Sequence, residues 1–139
     1  MSTPPAALNL IDLLRSDFRA SASADALNLR LQNELGLDFR YQPARLALAL
    51  SLSDSRPLPP VEGAGRPIRG ETLFSPEQAE LAIWVGLFSE HAGRGFETRR
   101  ELQEAVAAHW SRGIEDLWSR WSRASQGPSA FLADLNRAS

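Results

Sequence analysis

The chain has 139 residues and a mass of 15.3 kDa, with 43% apolar and 23% charged residues, enough to bury one core without staples and too little for a two-domain enzyme. It has no cysteine and no lysine, so all 15 basic residues are arginines, set against 17 acids; disulfides, Cys-ligated zinc, iron–sulfur clusters, thiol nucleophiles, Schiff-base chemistry and a Walker-type phosphate loop are excluded. A net charge of −2 argues against a polyanion binder working by bulk charge alone.

Met1 to Leu14 has no positive leader before its apolar stretch and carries Asp12 inside it, so it does not read as a secretory signal. After Pro4 and Pro5, Leu8, Ile11, Leu14 and Phe18 recur at helical spacing and predict a modest amphipathic helix, docked on the domain or on a partner. A second helix is expected after Ser23, with Asp25 in its first turn and a stop at Gly36. Leu27, Leu29 and Leu31 also alternate, which leaves a strand open there. Pro43 to Leu52 carries the same ambiguity; alanine is poor in strands and Pro43 suits a first turn, which favours helix.

From Ser53 to Gly70 four prolines and three glycines predict a long loop, a class that is functional or disordered. Arg40 to Gly70 holds five arginines against two acids, the most basic stretch of the chain. Ser75, Pro76 and Gln78 then read as an N-cap, a first-turn proline and a capping-box glutamine. The helix they open, through Leu81 to Phe88, is apolar on nearly every side, so it belongs at the centre of the core or at a subunit interface. The run is far shorter than the roughly 18 residues of a membrane span, and a cytoplasmic protein with no membrane partner is expected. Thr98 and Glu101 form a second capping box, opening a long helix with Leu102, Val106, Trp110, Ile114, Leu117, Trp118 and Trp121 on one side and Glu104 and Glu115 opposite. It ends before Gln126-Gly127-Pro128, and Ala130 to Arg137 form a short terminal helix. The expected whole is an all-α, compact single domain: a helical extension over residues 1–17, a domain over 18–125 with its basic loop at 53–70, and a short helix in 126–139.

His91 and His109 have no ligand partners at metal spacing, so no metal site and no cofactor are expected. His109 reads as a hydrogen-bonded core or interface residue and His91 as a complement to a helix dipole. The acids Glu97, Glu101, Glu104, Glu115 and Asp116 make solvated faces rather than a catalytic pair. Arg99 and Arg100 stand against the positive end of a helix, a broken local rule that suggests a phosphate site, unless Glu97, Glu101 and Glu104 neutralise them. Trp84, Trp110, Trp118 and Trp121 fit packing better than base stacking. Gly113, inside a helix, costs about 1 kcal/mol relative to alanine and so suggests a close helix crossing, taken here as one that supports an oligomer.

Three stretches in order resemble a known family. They are the helix closing at Gly36 followed by an apolar helix from Arg45, then Gly70-Glu71-Thr72 after Ile68, and most specifically Ala105-Val106-Ala107-Ala108-His109-Trp110-Ser111-Arg112-Gly113-Ile114-Glu115-Asp116-Leu117. Together, over roughly Phe18 to Arg123, they resemble DndE, the small protein of DNA phosphorothioation (DNA sulfur modification) systems. The resemblance implies a helical homo-oligomer, a tetramer, acting beside a DndC-like sulfurtransferase and a DndD-like ATPase, binding duplex or nicked DNA and not itself an enzyme. Asp38-Phe39-Arg40 stands where relatives carry Thr-Pro-Asn, and their lysines are missing. Arg40, Arg45, Arg66, Arg69, Arg99 and Arg100 are therefore the expected DNA contacts, gathered by oligomer symmetry, with Gly113, Trp84 and His109 in packing roles. The competing readings are a ribbon-helix-helix regulator, which requires a strand at Leu27 to Leu31, a purely structural assembly subunit, and a nuclease or nickase.

Overall fold

A computed structural model describes residues 8–124 and 128–137, with seven helices and one two-stranded ribbon among them. The expectations placed on Pro4, Pro5, Gln126 and Gly127 lie outside the described residues.

Helix α1 (Leu10–Leu14) is capped by Asn9, whose Oδ1 accepts from the Ile11 and Asp12 amides at 2.9 and 3.3 Å. It is shorter than its apolar spacing predicts, because Phe18 leaves the helix for strand β1 (Asp17–Phe18). That strand pairs antiparallel with β2 (Ile68–Arg69), Phe18 opposite Ile68 and Asp17 opposite Arg69. Leu13 is buried, and a Cβ on Gly70 would lie 2.1 Å from the Leu13 carbonyl oxygen. The glycine lets α1 wedge against the turn after β2.

Helix α2 (Ala22–Glu34) starts after Ser21, which accepts from the Ala24 amide at 3.1 Å, two residues earlier than Ser23. It closes at Gly36, which takes φ +68, as the Leu37 amide donates to Gln32 O at 2.9 Å, the six-to-one bond of a Schellman end. The alternating leucines are thus helical, and the strand required by a ribbon-helix-helix protein is absent there. Helix α3 (Tyr41–Leu52) carries Pro43 in its first turn. The irregular segment that follows ends at 67, and α4 (Gly70–Leu73) is a single turn.

Helix α5 (Gln78–Ala92) departs most from expectation. Ser75 accepts from the Glu77 amide at 3.0 Å and shapes the turn upstream; α5 itself starts from Glu77 without a side-chain cap. Only Leu81 and Phe88 of it are buried, while Ile83 is 64% and Leu87 43% exposed. It is therefore not the core's centre. That place belongs to α6 (Arg99–Arg123), whose Leu102, Val106, Trp110, Ile114 and Leu117 are all buried and which packs most extensively on α3 and α2. α6 has a wide apolar arc with a charged opposite face, whereas uniform apolarity in α5 gave no direction to its burial. Helix α7 (Pro128–Arg137) docks through buried Phe131 against the Trp121 ring, with centroids 5.4 Å apart.

Gly113 is the closest point of the α3–α6 crossing: a Cβ there would sit 1.8 Å from the Ala47 carbonyl oxygen. The crossing expected of this glycine exists within one chain. The buried Trp110 indole donates to Asn28 Oδ1 at 3.1 Å, and Asn28 Nδ2 donates to Arg40 O at 3.0 Å. This relay ties the core to the N-terminus of α3, where the candidate interface lies.

Candidate nucleic-acid interface

The arginines from Arg40 to Arg69 divide into two kinds. Arg40 donates to Pro67 O at 3.3 Å, Arg66 O at 3.1 Å and Asp25 Oδ1 at 3.2 Å. Arg45 donates through Nε to Leu73 O at 2.7 Å and through Nη2 to Thr72 O at 2.9 Å, with its guanidinium 4.3 Å from the Tyr41 ring centroid. The Arg40 guanidinium fastens the irregular backbone at 66–67 to α3, because loop carbonyls that no ladder satisfies need donors, and the Arg45 guanidinium takes the last carbonyls of α4, which a helix end leaves without intrahelical partners. Arg66 and Arg69 keep exposed side chains: Arg66 Nε lies 3.3 Å from Asp25 Oδ2 and Arg69 Nη1 3.8 Å from Glu71 Oε1. Such exposed pairs contribute about 0–1 kcal/mol, so an incoming phosphate can compete for them.

Arg40 and Arg69 meet at a cleft of about 540 Å³ lined also by Gln32, Asp38, Phe39, Tyr41 and Thr72. Phe39 is 55% exposed, with its ring parallel to that of Tyr41, 10° between planes and 5.4 Å between centroids. Gln42 Oε1 accepts from the Phe39 amide at 3.0 Å and holds the turn. Gln32 Oε1 and Arg40 Nε are buried without a hydrogen-bond partner among the described residues, each at a desolvation cost of about 1–3 kcal/mol.

Asp17, opposite Arg69 in the ribbon, lines an adjoining cleft of about 310 Å³ with Arg19, Arg100 and Gln103. Arg19 Nη1 donates to Gly65 O at 2.8 Å. Arg100 is exposed and paired at 3.3 Å with Glu104, while Arg99 is exposed beside it. The Thr98 hydroxyl caps α6 by accepting from the Glu101 amide at 3.1 Å, but the Glu101 carboxylate turns to the Glu97 amide and to Arg94 at 2.9 Å. The ribbon thus joins the Arg40–Arg69 cleft to the Arg100 cleft, whereas the Arg45 guanidinium lies over the Tyr41 ring.

Trp84 is half-buried against Phe74 and Phe88, at 5.6 and 6.2 Å between centroids. His109 is 1% exposed and its Nδ1 lies 2.8 Å from Ser51 Oγ. That hydroxyl accepts from Arg112 Nε at 2.9 Å, and its own proton can go to the neutral imidazole. Arg112 also donates to Ser51 O, Asp54 O and Arg56 O at 2.7, 3.0 and 2.8 Å. His91 stands in the last turn of α5, and its Nε2 lies 2.7 Å from Asp54 O. This cluster clamps the end of α3 to the following loop. Sealed at 2% exposure, Ser51 offers no accessible nucleophile. Arg56, bonded to Asp54 at 2.7 Å, holds that carboxyl well below the usual range.

Burial lowers the His109 pKa to about 3, helped by the nearby His91 and Arg112. An unfolded histidine ionises near 6.5. Between those values the unfolded chain binds a proton that the folded chain does not, so stability fully present above about pH 6.5 falls as pH drops, by up to about 1.4 kcal/mol per pH unit from this group. Urea unfolding at about pH 7 and about pH 5 is expected to show that fall; equal midpoints would contradict it.

The sequence reading does not single out Phe39, Tyr41 or Arg19, which line the two candidate clefts. Phe39 sits between Asp38 and Arg40 in a turn, and an aromatic flanked by charges there is the available signal. Among the described residues, no three His, Cys, Asp or Glu side chains come together in a way that could hold a metal ion, and no helix is long and apolar enough to cross a membrane. Comparison with protein-family models and with curated proteins finds no match.

Proposed function

We propose that this chain is a non-catalytic, DNA-binding accessory subunit of a DNA phosphorothioation complex, engaging duplex or nicked DNA through arginines on behalf of sulfurtransferase and ATPase partners. The observation that carries the DNA reading is a set of exposed guanidiniums, Arg69 and Arg100 lining two clefts joined by the ribbon, with Arg66 two residues before β2. Guanidinium groups suit phosphate by geometry as well as charge. The place in a sulfur-modification complex rests on the motif resemblance over roughly Phe18 to Arg123.

A whole-chain charge of −2 limits bulk attraction, and several copies repeating this edge would offset it. The outer face of α5 suits such assembly: Ile83 and Leu87 are exposed, and nothing lies within 4 Å of a Cβ on exposed Gly86. Glycine in a helix interior costs about 1 kcal/mol, and no contact among the described residues requires it there. A second copy packed along α5 would cover this face, in keeping with a tetramer.

The acids beside these arginines favour a second reading. Asp25, Glu71 and Glu104 already pair with Arg66, Arg69 and Arg100, which suits a purely structural assembly subunit. Binding measured by gel shift with intact, nicked and single-stranded DNA, alongside mass determination, separates the two: the proposal expects salt-sensitive binding by an oligomer, and an oligomer that binds no DNA would leave assembly alone.

A further inference from the structure

We propose that the Phe39–Tyr41 stack is a platform for one unstacked DNA base, flanked by Arg40 and Arg69; the inference rests on the DNA-binding reading and adds a base contact to it. The other exposed large apolar side chains are aliphatic, and Phe18, Phe74, Phe88, Phe131 and Trp110 are all buried. Phe39 alone among the described phenylalanines and tryptophans is more than half exposed, and it is presented flat, parallel to Tyr41.

The platform is built before any ligand arrives. Tyr41 lies under the Arg45 guanidinium, itself fixed by two carbonyls. The Phe39 amide is held by Gln42, and the Arg40 carbonyl by Asn28, whose own carboxamide oxygen accepts from the Trp110 indole. A preorganised aromatic face loses little freedom on binding.

The surrounding charge selects the occupant. Arg40 and Arg69 line the same cleft and exposed Arg66 stands next to them, which favours an anionic chain passing along the rim. Asp38 lines it too and disfavours a phosphate on the platform itself. An uncharged base on the rings with its phosphates toward Arg69 satisfies both. Base stacking on an aromatic side chain is sequence-tolerant, and its loss to alanine weakens binding about 5- to 150-fold. Paired bases in a duplex are already stacked, so the platform reads single-stranded ends and gaps.

The test is a cycle between side chain and base, read by fluorescence anisotropy. The probes are a duplex with a short single-stranded thymidine overhang, the same duplex with an overhang of abasic sugars, and a blunt duplex. The full-length chain is expected to bind the thymidine overhang at least about 5-fold more tightly than the abasic one. Phe39→Ala should abolish that difference while leaving blunt-duplex affinity within about 2-fold, and Phe39→Trp should keep it. Equal affinity of the native chain for both overhangs, or a difference that survives in Phe39→Ala, would overturn the platform and leave DNA binding standing. No binding to any probe would overturn both.

Discussion

Gly113→Ala is expected to cost about 3 kcal/mol or more of folding stability. The added methyl would itself favour the helix by about 1 kcal/mol, so the sign of the result is decided by space. The Cβ would stand 1.8, 2.4 and 2.8 Å from the O, C and Cα atoms of Ala47, all backbone and unable to rotate away. Helices α3 and α6 would have to separate along their whole contact, opening gaps around Ala44, Leu48 and Trp110, which are fully buried. Interiors are packed closely enough that such a shift is felt throughout. Urea unfolding followed by circular dichroism measures it, with Gly95→Ala as the control because a Cβ there meets nothing within 4 Å among the described residues. A Gly113→Ala midpoint equal to the native one would contradict the crossing.

Arg112→Met should cost about 2–4 kcal/mol by leaving acceptors unsatisfied at the end of α3. One guanidinium serves the carbonyls of Ser51, Asp54 and Arg56 and the Ser51 hydroxyl at 2.7–3.0 Å. Arg112→Lys should recover little, since an ammonium on a flexible stem cannot span that fork. The segment released is 53–67, so amide exchange there should quicken before the core exchanges. Unchanged protection of those amides in Arg112→Met would contradict the clamp.

Much of the architecture could be read from local chemistry. Gly36 ended α2, Pro43 opened α3, and the Thr98 cap and apolar arc set out α6, since each signal acts within a turn or two. The ribbon was not readable: two residues on each side, 17–18 and 68–69, are too few for a period to register. The position of α5 was not readable either, because a helix apolar all round does not say which side faces in.

The candidate site was legible in composition and not in use. The basic excess of residues 40–70 says nothing of how each arginine is used: Arg40 and Arg45 turn inward to carbonyls 26 to 28 residues away. Contacts of that separation exist only once the chain has folded. Phe39 was noticed only as a departure from the resembling motif. Its exposure and its parallel packing on Tyr41 follow from the tight turn between Gly36 and α3, which leaves the ring outside the core.

The central claim, that exposed arginines along the ribbon engage DNA phosphates, is tested most directly by the salt dependence of binding to a nicked duplex. Each phosphate contact contributes about −0.9 to the slope of log affinity against log salt. The account predicts a clearly negative slope for the native chain, and a slope shallower by about 0.9 per arginine removed in Arg69→Ala with Arg100→Ala, whose side chains hold only exposed ion pairs. A slope near zero, or one that the double substitution leaves unchanged, would contradict it.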